Sequence, residues 1–185
     1  MKGGARMSSR IALAGFLGVL AAAWVAVAMS GATTTPAPPK PVAGCLNQAL
    51  TDGFWNLKVT AVTLGTEPEA TTPAWGATFE FGNAQTKAAI PNSVGVDYPK
   101  LVLSDGTTLD MTTTSELKFQ RAIQMATLQP GAQKSGTYWY RPDDPATKAS
   151  TFLFPVSASN SVYNTSFGYP VKNPAFSVDL TCNKG

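Results

Sequence analysis

Residues 74–83 read AWGATFEFGN: Trp75, Ala77, Phe79 and Phe81 alternate with Gly76, Thr78, Glu80 and Gly82. A period of two marks a β-strand with one face on a core, because successive side chains leave a pleated strand on opposite sides. Upstream, FWNLKVTAVTL at 54–64 repeats the pattern, with Trp55, Leu57, Val59 and Ala61 on one face and Asn56, Lys58 and Thr60 on the other. Downstream, Asp105-Gly106 separates Leu101 and Leu103 from Leu109 and Met111, which is the chemistry of a tight hairpin. Phe152 and Phe154 share a face, as do Phe176, Val178 and Leu180, and continuing that last register brings Cys182 to the same inner side.

Gly, Pro, Asn and Asp cut the chain at short intervals from residue 46 onward, as in an all-β fold. About seven or eight short strands whose apolar faces need two layers to hide them predict an antiparallel β-sandwich, with a small closed barrel as the alternative. One segment reads two ways. In SELKFQRAIQMATL (115–128), Leu117, Phe119, Ile123 and Met125 fit a strand, while Phe119, Ala122, Ile123 and Ala126 form a helical stripe behind a Ser115 cap. The turn-like LQPG at 128–131 favours the strand.

The amino end belongs to export. Residues 11–29, IALAGFLGVLAAAWVAVAM, carry no charge or polar side chain and follow Lys2, Arg6 and Arg10. A basic segment before an apolar one is a secretory signal, and its length also suits an uncleaved membrane anchor. Residues 1–32 are therefore expected to be a signal peptide or anchor, 33–44 a Pro/Thr-rich linker, and 45–185 the folded domain. Once the leader's three cations are set aside, 11 basic residues face 11 acidic ones, so nothing points to nucleic acid, and the membrane enters only through an uncleaved leader. An exported chain with two cysteines near the edges of its domain predicts a Cys45–Cys182 disulfide. Gly44-Cys45 has the small-residue look of a lipid-attachment site, but the intervening segment with Lys40 and its prolines would keep that cysteine from the membrane face.

Taken together, the Trp-bearing first strand, the strand ending near FGN, the hairpin LVLSDGTTL, and LQPGAQKSGTYWYRPDD resemble the secreted immunoglobulin-like domains of bacterial cell-envelope proteins, a group similar to the mycobacterial immunoprotective extracellular antigen. The likeness covers roughly residues 52–181, and its most specific part is Leu128, Pro130, Gly131 and Gly136 leading into an aromatic strand that ends at Pro142. It implies an immunoglobulin-like sandwich and brings no catalytic motif. Members are commonly tethered by a lipid-bearing cysteine at the end of the signal, a pattern from which this chain departs.

Histidine is absent, so neither a Ser-His-Asp triad nor a His-bearing zinc or copper site can be built. No catalytic residue, metal site or cofactor is assigned from the sequence. Among carboxylates, Glu67 and Glu69 read as a solvated loop and Asp143-Asp144 as a turn. Aromatics remain. In GTYWYRP, Tyr138 and Tyr140 share one face of a strand and Trp139 shares the other with Arg141; either Trp139 packs in the core with Trp55 and Trp75, or it joins Arg141 in a binding patch. Tyr163, Phe167 and Tyr169, in NSVYNTSFGYPVKNP at 160–174, are further binding candidates on a loop. The expectation is an exported, non-enzymatic module binding an envelope or extracellular protein. The alternatives are a carbohydrate-binding module or histidine-free glycan-processing enzyme, and a structural spacer.

Overall fold

The computed structural model describes residues 41–68, 70–155 and 175–184. The leader and the loop bearing Tyr163, Phe167 and Tyr169 lie outside these residues. Among the described residues there are nine strands, β1 (Val42–Leu46), β2 (Leu50–Thr51), β3 (Trp55–Thr66), β4 (Pro73–Asn83), β5 (Lys100–Leu103), β6 (Thr108–Leu109), β7 (Gln133–Tyr140), β8 (Ala149–Pro155) and β9 (Ala175–Asn183), with a short helix α1 (Thr113–Phe119) before β7. They form two sheets, ordered β1-β9-β8-β5-β6 and β2-β3-β4-β7. β1 runs parallel to β9, and the other pairings are antiparallel. β1 starts within the stretch expected to close the linker.

This is an immunoglobulin-like β-sandwich. Strands β3, β4 and β7 take the places of A, B and E, while β5, β6, β8 and β9 take those of C, C′, F and G. Where a constant-type domain has strand D, this chain has α1. The core is aromatic. Phe79 lies 5.0 Å from Tyr138 and 5.2 Å from Phe152 between ring centroids, and Phe81 stacks on Phe154 at 4.7 Å. Leu101, Leu103, Leu109, Met111, Phe152, Phe154, Phe176 and Val178 are buried, as the one-sided runs predict.

The expected turns form. Gly106 takes a φ of 88° and donates its N–H to the Leu103 carbonyl, while Gly131 takes a φ of 73° in the Gln129–Ala132 turn behind Pro130. Cys45 and Cys182 are bonded, with Cα atoms 5.1 Å apart across 137 positions of sequence. That bond leaves Cys45 no thiol for a lipid. The β1–β9 register breaks between Cys45 and Leu46, so Cys182 sits partly buried at an irregularity rather than within an unbroken inner row.

Two expectations are corrected. Ala61 does not share the inner face of β3, because Val59 pairs with Phe79 and Ala61 with Thr78, leaving Thr60 as an extra residue. Such a bulge reverses the facing of everything beyond it, so Val62, opposite Ala77, turns inward instead. The Thr60 hydroxyl donates to the Thr78 carbonyl at 3.2 Å across the bulge.

The second correction is larger: residues 115–128 hold no long strand. α1 runs on into a π-helical turn at Gln120–Gln124, and the cap is Thr112 rather than Ser115, its side chain accepting the Ser115 N–H at 3.3 Å. The helical stripe prevails because Phe119 and Ile123 are buried with Ala122 and Ala126 packed beside them, whereas Leu117 and Met125 are left 50% and 63% exposed.

Candidate functional site

The register of β7 on β4 places the aromatic pair and its neighbours. Tyr138 lies opposite Ala77 and Tyr140 opposite Trp75, so both tyrosines enter the core. Trp139 lies opposite Gly76 and shares the outer face with Thr137, and Arg141 is exposed just beyond the end of the strand. The alternative with Trp139 in the core is thereby excluded: Trp55 is fully buried and Trp75 partly so on the inner side, while Trp139 is partly exposed on the other.

Two glycines make room for its ring. A Cβ at Gly76 would stand 2.9 Å from Cζ3 of Trp139, and one at Gly65 3.4 Å from Cη2, so the indole lies across β4 and β3 where side chains are missing.

Beside this ring lies a carboxylate that the sequence reading placed in solvent. Glu67 follows β3 directly and is only 5% exposed. The Thr112 hydroxyl donates to Oε1 at 2.6 Å and the Ser115 hydroxyl at 3.4 Å, while Arg141 Nη2 stands 3.7 Å from Oε2. Ser115 Oγ in turn accepts the Trp139 N–H at 2.8 Å, and the Thr112 N–H donates to the Trp139 carbonyl at 2.8 Å. A buried charge is tolerable when it is hydrogen-bonded and paired. Here those bonds also fasten the first turn of α1 to the outer edge of β7. Burial therefore arises from partners 45 and 48 residues away, which local sequence does not reveal.

Two open concavities meet at Glu67. One, of about 420 Å³, is lined by Glu67, Asp110, Met111, Thr112, Thr113, Thr114 and Arg141. The other, of about 220 Å³, is lined by Glu67, Pro68, Thr114, Ser115, Lys118 and Trp139. The predicted pair Trp139 and Arg141 is thus brought to neighbouring parts of one surface, with Arg141 half exposed at 51%. Glu67, Thr112, Ser115 and Lys118 join it unannounced; the capping preference of threonine at 112 was a signal for part of it.

Asp110 is exposed and ion-paired with Lys100 at 2.6 Å, a contact that raises the lysine's pKa. Asp143 and Asp144 are exposed in a turn, where Asp144 Oδ1 accepts the Ala146 N–H at 2.9 Å. No group of three His, Cys, Asp or Glu side chains suited to a metal occurs among the described residues. Burial pushes the Tyr138 hydroxyl up to about 12 and that of Tyr140 well above its usual range. Both point into the sandwich, away from this surface.

Fold and site together define an immunoglobulin-like sandwich with an aromatic and cationic patch on its outer face. No protein-family model and no curated protein sequence matches the chain. Among solved structures it is similar to the yjhA protein from Bacillus subtilis (14% identity, 75% of this chain and 98% of that one, TM-score 0.48). It is also similar to MPT63, a secreted protein from Mycobacterium tuberculosis (15% identity, 64% and 92%, TM-score 0.46). A third likeness is an uncharacterized β-sandwich protein from Clostridium difficile (7% identity, 76% and 95%, TM-score 0.41). These likenesses concern the fold alone.

Proposed function

We propose that the chain is an extracytoplasmic, non-enzymatic binding module that recognises an envelope or extracellular protein through the surface around Trp139 and Arg141. The observation that carries this reading is the presentation of those two side chains. Trp139 stands on the outer face of the four-stranded sheet, bonded through its backbone to Ser115, and Arg141 follows directly after that strand, ion-paired to the buried Glu67. Trp and Arg on a rigid support are the residue types that dominate binding energy in protein interfaces. The disulfide supports the compartment, since such bonds persist where the surroundings are oxidising. Engagement of both Glu67 oxygens favours a supporting over a catalytic part for that carboxylate.

The test is retention of envelope proteins on the immobilised exported protein, wild type against the double variant Trp139→Ala, Arg141→Ala. A partner held by the wild type and lost by the variant is expected. Equal retention by both would remove the patch from the account and leave a spacer.

A further inference from the structure

The four-stranded sheet has two edges, and they are built differently. On β7, the inward-facing Lys134 is exposed, and Thr112 and Ser115 bond to Trp139. On β3, β2 covers only Asn56 and Leu57, and the Asn47 N–H donates to the Val59 carbonyl at 2.8 Å. Beyond that point no strand but β4 lies along β3 among the described residues, and no backbone group of Thr60–Thr66 bonds outside the ladder with β4.

That bare stretch reads TAVTLGT, without a charge or a proline. An exposed edge of this composition is a template for another strand. Past the Thr60 bulge, Val62 and Leu64 belong to the inner row: Val62 packs against the core opposite Ala77, whereas Leu64, opposite Trp75, is left 44% exposed. Ala61, Thr63 and Gly65 take the outer row, with Gly65 beneath the Trp139 ring.

We infer that this edge pairs with the same edge of a second copy of the chain, antiparallel, about a two-fold axis at Thr63. The stretch is its own complement in that register. Val62 of each copy lies opposite Leu64 of the other, so each half-exposed leucine gains an apolar cover; on the outer row Thr63 meets Thr63 and Ala61 meets Gly65. Cross-strand pairs of these kinds stabilise a ladder, and an uncharged segment does not repel its own image. A strand from another protein would supply main-chain bonds equally well; the match of Val62 with Leu64 is what selects a second copy. The β2 strands do not collide with the partner, because Asn56 and Leu57 fall beyond the point where the partner's β3 ends at Thr66. Pairing of one edge with itself closes at two copies, and Lys134 at the other edge keeps the joined sheet from growing further. The axis stands perpendicular to that sheet, so both Trp139 rings lie on one side of it.

Overlap of seven residues buries a small area, and the dimer is therefore weak and reversible. Sedimentation velocity of the exported protein over a range of concentrations reads it. Thr63→Lys and Thr63→Glu alter an exposed side chain and set like charges directly opposite one another. Each is expected to raise the dimer's dissociation constant at least about fivefold, with the urea midpoint of the dilute protein unmoved, and mixing the two variants should restore it to within about threefold of the wild type. Should a charge at 63 disturb folding, Leu64→Gln takes its place, with an expected loss of about fivefold. A wild type that stays monomeric at every concentration, leaving the edge bare or to a strand of another protein, overturns the inference. So does a dimer untouched by these substitutions, or a mixture of the Lys and Glu variants that associates no better than either alone.

Discussion

A Cβ added at Gly76 has nowhere to go except into the rigid indole of Trp139, since 2.9 Å is shorter than side-chain carbons approach one another. Gly76→Ala is therefore expected to cost about 1–3 kcal/mol, as overpacking does, and to shift tryptophan emission as the ring lifts. Gly65→Ala, whose Cβ would stand at 3.4 Å, should leave emission nearly unchanged; chemical denaturation followed by fluorescence checks both. Tyr138 and Tyr140 carry a second prediction. The folded chain holds their phenolic protons more tightly than the unfolded chain does, through burial. The stability this gives is whole below pH ~10 and falls as pH rises from there through about 12. Urea midpoints measured across that alkaline range should decline, and tyrosinate absorbance should appear together with unfolding. Alternation alone put these two rings on one face. It left open which face was inner, because both faces of 137–141 carry bulky residues. Glu67 escaped entirely, since its local company of Thr66, Pro68 and Glu69 reads as loop whatever lies across from it.

Among the elements, β7 has one flank on β4 and no strand on the other among the described residues. The last part of that flank is closed by Thr112 and Ser115 at Trp139, leaving Gln133–Thr137 as an edge. Lys134 lies opposite Phe81, on the inward-facing set of the strand, and is exposed. A charge pointing inward at an edge discourages a second sheet from docking there. Lys134→Val should accordingly increase self-association, seen as concentration-dependent growth in light scattering; scattering unchanged from the wild type would show that the edge is guarded otherwise. The same scale explains the misread segment. From Ser115 to Met125, strand and helix patterns share Phe119 and Ile123, and the fates of Leu117, Ala122 and Met125 separate them. The π turn, closed by the Met125 N–H donating to the Gln120 carbonyl at 2.9 Å, turns Ile123 and Gln124 inward together; Gln124 then donates to the Val96 carbonyl at 3.0 Å. No period in the sequence announces such an insertion. The Thr60 bulge is hidden likewise, while the β4 alternation and the Pro130-Gly131 turn were legible because single residues dictate them.

At the level of the whole molecule, the disulfide encloses almost everything described. Joining positions 137 apart removes chain entropy from the unfolded state worth up to ~5 kcal/mol. Replacing Cys45 and Cys182 together by alanine should lower the denaturation midpoint by a corresponding amount, and leaving it unmoved would mean that the closed loop does not constrain the unfolded chain. The sandwich class followed from patterning because two sheets are what so many one-sided strands require. The exchange of strand D for a helix did not, since it depends on what Glu67 and Trp139 hold in place. The parallel run of β1 on β9 has one more consequence. Tension between the two ends of the folded body would drag these strands past each other in shear, loading all the rungs of their ladder together rather than peeling them singly. If those rungs gave way, the sulfur bridge would still halt extension at Cys45 and Cys182, so a pull on the ends of the folded body would free only the strand ends outside the bridge.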